Sequence, residues 1–491
     1  MTAEQIDTLF ADLLVELAQS PYAASLAEQR AHLSGPLRIA VAGRVKAGKS
    51  TLLNALVGER LAPTDAGECT KVVTWYRHGP TYRVTGLQDG ASLSLPFDRT
   101  NGQLTIDLGD DDPLSFDRLD VSWPSGHLTD LTLIDTPGID SVNRHYSDRS
   151  IDLLAGNDTS SAVPVRPDAV LYLMTHAHQR DLALFDSFAD RSIVGSGLTN
   201  AIGVLSRSDE IGVGSRDTME VAEAVAQQYR NDPRIATRCQ DVIPLAGLLA
   251  ETAVTLREEE FRKLTDIAAI NPTDLQLALL SVDRFVSTPL DRMPSATERI
   301  HLLDRFGAFG LRLSCQLIAR GAAPDSSSLA AALRERSGLT RLRLRIESVF
   351  GHRAQLLRRQ GALAAIADVA PHCSPVTRDR IAELIDRFAA NDHEHAEVVA
   401  LNALRIDRCD VDNAVAKRAE RILGGHGPAS TTRLGLAPDA EVGEIDAAAR
   451  VEHAYWANLE RQAAARLATR RLARTATRSC EGIIATPGNL L

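Results

Sequence analysis

Short apolar runs bounded by polar or turn-forming residues recur along the chain between residues 36 and 245. Such runs are typical of buried strands, and amphipathic helical patterns at 51–57 and 218–229 lie between them. Strands that alternate with helices predict an α/β fold with a parallel sheet. The predicted strands are residues 37–42, 72–76, 82–87, 119–123, 131–134, 169–174, 201–205 and 242–245.

Two stretches depart from this alternation. Residues 75–128 contain short alternating segments broken by Gly, Asp and Pro, which predict an antiparallel insertion at the edge of the sheet. From about residue 340 the pattern becomes helical, and one long Ala- and Arg-rich helix is predicted from 441 to about 478. Residues 1–20 carry a single apolar stripe that must pack on other helices. The predicted domains are therefore 1–35 joining the bundle, 36–338 as the nucleotide-binding domain, and 339–491 as an all-α helical bundle.

Composition and charge narrow the class of protein. The 491 residues carry a formal net charge of −10, which argues against a nucleic-acid partner. The six cysteines form no C-x-x-C pair, which indicates a reducing compartment. The first ten residues contain no basic side chain, and no apolar run is long enough to span a membrane, so we expect a cytoplasmic protein. Lysine is rare, with five in the chain, and three of the five lie between residues 46 and 71.

The segment GRVKAGKS at residues 43–50 follows a predicted strand and precedes a helix, and it fits G-x-x-x-x-G-K-[ST]. Its glycines let backbone N–H groups surround a phosphate, and the next helix begins with its positive end toward that anion. Lys49 would contact the terminal phosphates, and Ser50 would bind Mg²⁺. The predicted phosphate-binding residues are Gly43, Arg44, Val45, Lys46, Ala47, Gly48, Lys49, Ser50 and Thr51.

A second segment, DTPG, follows the strand at 131–134. Asp135 would hold Mg²⁺ through water, and the N–H of Gly138 would contact the γ-phosphate. Between the two segments, Thr70 is the candidate for a threonine that closes over Mg²⁺; the alternative is an ordinary surface turn.

Base selection is predicted at two further strand ends. Ser206, Arg207 and Asp209 follow the strand at 201–205, and a carboxylate there would accept hydrogen bonds from N1 and N2 of guanine. The usual form is N/T-K-x-D, so Ser206 and Arg207 depart from it, and a helix-capping aspartate is the alternative. Ala246 and Gly247 follow the strand at 242–245 and form the last predicted base contact.

The elements AGRVKAGKSTLLNALVG, the Thr70 connection, LIDTPG and SRSDEIG resemble the dynamin superfamily of large GTPases. The segments LAPTDAGECTKVVTWYRHGP, LLSVDRF, LLDRFGAFGLRL and ERSGL further resemble the mycobacterial isoniazid-inducible dynamin-like proteins. The resemblance implies GTP or GDP as ligand with Mg²⁺, dimerisation through the GTPase domains, and membrane remodelling by the helical stalk. It also implies a peripheral position at the inner face of the plasma membrane.

The residue after Gly138 is Ile139, which cannot orient a water molecule as glutamine does in many small GTPases. We therefore hypothesise that Lys46, at a position where cation-dependent relatives place Ser or Asn, replaces a monovalent cation and acts with Lys49 and Thr70 in catalysis. The alternative is that Lys46 is a solvent-facing lysine.

Two alternatives remain open for function. The chain is either a GTPase that remodels membranes or a weakly active GTP-binding partner that forms a heterodimer with a longer dynamin-like paralogue. Arginines at four-residue spacing near the end of the chain either pair with acidic neighbours or contact anionic lipid headgroups. They are Arg466, Arg470, Arg474 and Arg478. The polar cluster His393-Glu394-His395 is predicted to be a solvated patch and not a metal site.

Overall fold

The computed structural model describes residues 3–63, 72–88, 90–100, 103–109, 112–138, 166–175, 200–211, 218–236, 238–405, 409–462 and 466–486. Eleven strands lie in this part of the chain. They are β1 Leu37–Gly43, β2 Thr74–His78, β3 Arg83–Gln88, β4 Ala91–Ser94, β5 Phe97–Thr100, β6 Gln103–Ile106, β7 Arg118–Trp123, β8 Leu131–Asp135, β9 Ala169–Met174, β10 Ala201–Leu205 and β11 Val242–Pro244.

Nine strands form one mixed sheet in the order β11-β10-β9-β1-β8-β2-β7-β3-β4. The five strands from β11 to β8 are parallel to one another, which confirms the predicted α/β class. β1 is central and buried along its whole length, because its alternate side chains enter the cores on both faces of the sheet.

The insertion lies at the sheet edge, as predicted, and is mostly antiparallel. β2 runs antiparallel to β8, and β3 runs antiparallel to both β7 and β4. The exception is a parallel pairing of β2 with β7, and β5 and β6 form a separate two-stranded sheet.

Nineteen α-helices lie in the described residues. In the first half they are α1 Ala3–Glu16, α2 Ala23–His32, α3 Lys49–Val57, α4 Thr218–Asn231, α5 Pro233–Ala236, α6 Gly247–Thr255, α7 Glu258–Ala268, α8 Pro272–Ala278, α9 Val282–Ser287 and α10 Ala296–Ala319. The remaining helices are α11 Ser326–Arg336, α12 Leu339–Ile346, α13 Ala354–Val369, α14 Pro375–Asn391, α15 His393–Arg405, α16 Asn413–Ile422, α17 Ser430–Leu434, α18 Val442–Arg461 and α19 Leu467–Ala485. A π-helical turn, Glu347–Gly351, separates α12 from α13.

Three helical cores accompany the sheet. α6, α7 and α9–α11 share one core, and α15–α19 share another. In the third, Phe10 of α1 packs with Ile366 of α13 and Phe388 of α14, so helices from both chain ends form one bundle, as predicted. The domain boundaries stay a prediction; Leu339 and Leu342 of α12 pack in the core of the sheet. Within the described residues, no helix is both long and apolar enough to cross a bilayer.

The prediction of one long helix from 441 to about 478 is wrong. The chain forms two helices, α18 and α19, and Gln462 at the end of α18 has an extended backbone with ψ 117°. Trp456 of α18 and Leu472 of α19 lie in the same buried cluster. In a single straight helix, Trp456 and Leu472 would lie too far apart to share one core. Tertiary packing therefore overrides local helix propensity here.

Candidate functional site

The predicted nucleotide-binding segments meet at one edge of the sheet. The segments at 43–50, 135–138, 206–209 and 246–247 follow β1, β8, β10 and β11 respectively. Because these strands are parallel members of one sheet, their carboxyl ends open at the same edge, where ligands of α/β proteins bind. The sheet therefore brings together all the predicted site segments that lie in the described residues.

Two glycines shape the phosphate-binding loop. Gly43 has φ 149°, and a Cβ there would lie 2.6 Å from the carbonyl oxygen of Leu173 on β9. Gly48 has φ 92° and directly precedes α3, where it provides no side-chain cap. The first N–H groups of α3 thus donate no hydrogen bond to a capping side chain and are available to an anion.

Lys49 is the buried cation of this loop. Its ammonium group donates hydrogen bonds of 3.2 Å to the carbonyl oxygens of Gly43 and Arg44. Burial lowers the pKa of Lys49, and the carboxylate of Asp135 opposes that shift. Phosphate oxygens of a nucleotide would accept hydrogen bonds from this ammonium group, which the loop carbonyls already orient.

Ser50 and Asp135 form the oxygen-rich part of the site. The Ser50 hydroxyl donates to Oδ2 of Asp135 at 3.3 Å, and Oδ1 of Asp135 is buried without a hydrogen-bond partner. Burial raises the pKa of Asp135 to about 6, although Lys49 and the Ser50 hydrogen bond oppose the rise. A hydroxyl beside an unsatisfied carboxylate oxygen is a donor set that suits Mg²⁺.

The segment after Asp135 lies directly against the phosphate-binding loop. The Thr136 hydroxyl donates to the carbonyl oxygen of Val41 at 3.0 Å, which fixes the segment to β1. A Cβ on Gly138 would lie 2.6 Å from Cγ2 of Val45 and 2.9 Å from its Cα. Glycine at 138 is therefore required for this close approach of the two loops.

The remaining residues of the loop differ in exposure. Val45 and Lys46 are exposed, and Lys46 has φ 62°, which is uncommon for a residue with a side chain. Ala47 is buried, whereas Arg44 and Thr51 are half-buried. The two exposed positions form the part of the loop that another molecule can reach.

The predicted base-binding corner is held by backbone contacts. Ser206 is buried, and its N–H donates to the carbonyl oxygen of Met174 at 2.9 Å. Arg207 has φ 53°, and its exposed side chain forms an ion pair with Glu210 at 3.2 Å. Asp209 is half-buried, and burial raises the pKa of its carboxyl group above the ordinary value.

The Ala246–Gly247 segment joins this corner to the phosphate-binding helix. The N–H of Ala246 donates to the carbonyl oxygen of Ser337 at 3.0 Å, and Gly247 is the first residue of α6. A Cβ at Gly247 would lie 3.6 Å from Cγ2 of Thr51. Thr70 and Ile139 lie outside the described residues.

A buried polar cluster behind the site was missed by sequence reasoning. Asn54 on α3 accepts a hydrogen bond from the Ala62 N–H at 2.7 Å and donates to the Ala62 carbonyl oxygen at 3.0 Å. Glu251 of α6 lies 2.9 Å from the guanidinium of Arg60 and 3.5 Å from the Asn54 amide. Asn54 is the polar residue in the otherwise apolar run LLNALV, which is a signal that could have identified it. The cluster fixes the chain where it leaves α3 toward Thr70.

Comparison with known proteins agrees with this site. Residues 39–185 match the family model of the dynamin family. The chain is 42% identical over 462 residues to the isoniazid-induced protein IniC of Mycobacterium tuberculosis, covering 93% of this chain and 91% of that protein. It is 30% identical over 208 residues to a bacterial dynamin-like protein of Nostoc punctiforme, covering 40% of this chain and 28% of that one.

Among solved structures, an oligomerised bacterial dynamin pair aligns with 99% of this chain and 75% of its own chain. That alignment has 12% identity and a TM-score of 0.30, which is too low to carry an argument. The relationship instead rests on the sequence match to IniC over nearly the whole of both chains. The chain therefore belongs to the dynamin family and is a dynamin-like GTPase.

Proposed function

We propose that the site binds GTP with Mg²⁺ and that Ser50, Thr70 and Asp135 hold the ion, Asp135 through water. The observation that carries this proposal is the contact of Ser50 with Asp135, whose second carboxylate oxygen is buried without a partner. When bound, Mg²⁺ would neutralise charge on the β- and γ-phosphate oxygens.

Other residues of the chain have separate roles in the proposed reaction. Lys49, held by the loop carbonyls, binds the terminal phosphates, and the N–H of Gly138 contacts the γ-phosphate. Asp209 selects guanine, with Ser206, Arg207, Ala246 and Gly247 around the base. Lys46 adds positive charge as the transition state forms, in the place of a monovalent cation.

GTP hydrolysis with and without Mg²⁺ tests the proposal. Ser50→Ala is expected to slow Mg²⁺-dependent turnover by roughly 10²-fold, because a ligand of the proposed ion is lost. Ser92→Ala on the exposed strand β4 is the matched control and is expected to behave as the wild type. Turnover that is independent of Mg²⁺, or equal effects of the two substitutions, would contradict the metal assignment.

We further propose that the GTPase domains dimerise and that the partner domain covers the loop at Lys46. The exposure of Val45 and Lys46 supports this, since a second domain can reach both residues. Turnover per molecule is then expected to rise with protein concentration. The weakly active partner hypothesis predicts instead that only a longer dynamin-like paralogue raises turnover, so the same assay separates a homodimer from a heterodimer.

We propose that α19 contacts anionic lipids at the inner face of the plasma membrane and that GTP hydrolysis is coupled there to membrane remodelling. The helix has four exposed arginines, Arg470, Arg471, Arg474 and Arg478, and the exposed Arg466 directly precedes it. Two of them form ion pairs, Arg466 with Asp410 at 3.2 Å and Arg474 with Glu460 at 2.7 Å. Even so, the exposed face carries an excess of positive charge, which favours a lipid surface of opposite sign.

Co-sedimentation with vesicles tests this contact. Replacing Arg470, Arg471 and Arg478 by Ala is expected to lower binding to vesicles rich in anionic lipid by roughly 10²-fold, since each basic side chain contributes on the order of 1 kcal/mol. The control variant replaces three exposed arginines outside α19, Arg380, Arg387 and Arg450. Binding that does not depend on anionic lipid content, or an equal loss in the control, would rule out this surface.

A further inference from the structure

The helix α10 contains one residue with non-helical geometry. Gly307 has φ 63° and ψ 171°, whereas the residues before and after it continue the helix. This combination of angles is essentially restricted to glycine, because a side chain would clash with the backbone. Strained or glycine-only conformations within regular elements cluster at functional sites, so the surroundings of Gly307 are informative.

Contacts on the N-terminal side hold the break in place. A non-helical residue interrupts the hydrogen-bond ladder and leaves carbonyl oxygens to be paired elsewhere. The carbonyl oxygen of Arg305 accepts a hydrogen bond from the hydroxyl of Thr252, a fully buried residue of α6. The Arg305 guanidinium donates to Glu260 at 2.8 Å and to the Thr255 hydroxyl at 2.9 Å. The fold thus provides partners for the broken helix.

The break lies against the base-binding corner. A Cβ built on Gly307 would lie 3.7 Å from Oδ2 of Asp209 and 3.6 Å from Cδ1 of Leu248. Asp209 follows β10, and Leu248 follows Gly247 at the start of α6. One residue of α10 therefore lies next to both of the segments to which base selection is assigned.

We propose that Gly307 is a specificity-determining residue of the GTP site, where its backbone forms a wall of the guanine corner beside Asp209. The inference rests on the proposed role of Asp209 in guanine selection. Covered by α10, the Asp209 carboxylate lies in surroundings with less water, where hydrogen bonds to the guanine N1 and N2 groups are stronger. A Cβ at 307 has room, but it would strain the backbone at φ 63° and ψ 171°. Relief of that strain would shift α10 relative to Asp209.

Nucleotide binding by the full chain tests this role. Gly307→Ala is expected to weaken GDP binding by about tenfold, whereas weak ADP binding stays the same, because adenine makes no guanine-specific contact with Asp209. Gly321→Ala is the matched control: Gly321 follows the same helix, has φ 69°, and has open space around its Cβ position. This variant also places a side chain at a residue with positive φ, but away from the base-binding corner, and it is expected to leave GDP binding unchanged.

Two further variants separate the possible failures. Asp209→Asn is expected to shift base preference from GDP toward XDP; if it does not, both the base assignment and the role of Gly307 are wrong. If Asp209→Asn shifts the preference and Gly307→Ala binds GDP as tightly as the wild type, the role of Gly307 alone is wrong.

Should Gly307→Ala fail to fold, Leu248→Ala tests the same wall without backbone strain. It is expected to weaken GDP binding several-fold relative to ADP. An unchanged ratio of GDP to ADP affinity in this variant would overturn the proposal.

Discussion

The carboxyl group of Asp135 is expected to destabilise the nucleotide-free protein. Its side chain is buried, and burial raises its pKa from 3.8 to about 6, against the opposing effects of Lys49 and Ser50. Mg²⁺ is the proposed partner of the ionised carboxylate, and it would offset the cost of burying this charge. A site arranged for a charged ligand carries an electrostatic cost when the ligand is absent.

The size of this cost follows from the pKa. A rise of the pKa from 3.8 to about 6 lowers the free energy of unfolding by about 3 kcal/mol at pH values above both pKa values. Since the folded-state pKa is raised, the unfolded chain releases its proton first, and the free energy of unfolding falls as the pH rises from about 4 through about 6. Asp135→Asn removes this dependence.

Urea unfolding of the nucleotide-free protein at pH 4.5 and pH 8 measures the effect. Intrinsic fluorescence reports on the sheet through Trp75 and Trp123, which are both buried there. Asp135→Asn is expected to be about 3 kcal/mol more stable than the wild type at pH 8 and only about 1 kcal/mol more stable at pH 4.5. Asp266→Asn, at an exposed position of α7, is the control.

An Asp135→Asn variant that is less stable than the wild type at pH 8 would contradict this expectation. That result would mean that the ionised carboxylate makes net favourable contacts with Lys49 and Ser50 even without a ligand. A gain of equal size at both pH values would also contradict it, because the gain would then not arise from ionisation.

Three further predictions concern the loop, the cluster behind it and the bundle. Lys46→Ala is expected to slow GTP turnover roughly tenfold to hundredfold without rescue by K⁺; K⁺-dependent turnover that is indifferent to this substitution would refute the role. Asn54→Ala should lower the free energy of unfolding by about 2 kcal/mol, because both Ala62 backbone groups lose their partner; a loss no larger than that of Asn391→Ala at an exposed position would contradict it. Burial lowers the pKa of His352 to about 4. The free energy of unfolding should therefore fall by about 2 kcal/mol as the pH is lowered from 6.5 to 5, because the unfolded chain binds a proton that the folded protein does not. His352→Gln should remove this part of the pH dependence in urea unfolding.

The parallel part of the sheet and its loops were predictable because their signals are local. The strands at 169–174 and 201–205 have the bounds predicted, since each is a continuous apolar run between polar residues. The segment GRVKAGKS identifies its own ligand class through the geometry that its glycines allow. The parallel pairing of β2 with β7 was not predictable, because strand partners far apart in the chain leave no local pattern.

Features that depend on tertiary contacts were also missed. The polar cluster His393-Glu394-His395 was expected to be solvated, but His395 is buried and its Nδ1 lies 3.1 Å from the Gln360 amide. The break at Gly307 lies in a helix whose apolar pattern continues on both sides. In each case the deciding energy comes from a residue on another helix, and a pattern within one segment does not contain it.

The helix that carries Lys49 and Ser50 is fixed at its far end by the segment that leads into the bundle. The Arg343 guanidinium of α12 donates to the carbonyl oxygens of Ala55 and Leu56 at 2.9 and 3.2 Å, and so satisfies backbone groups that the end of α3 leaves unpaired. The neighbouring Arg345 forms an ion pair with Asp241 at 2.9 Å, just before β11. From α12 the chain passes through one π-helical turn into α13, which packs against α1. Displacement of α3 on nucleotide binding would therefore act directly on α12, so coupling between the site and the bundle needs no contact beyond those already present in the fold.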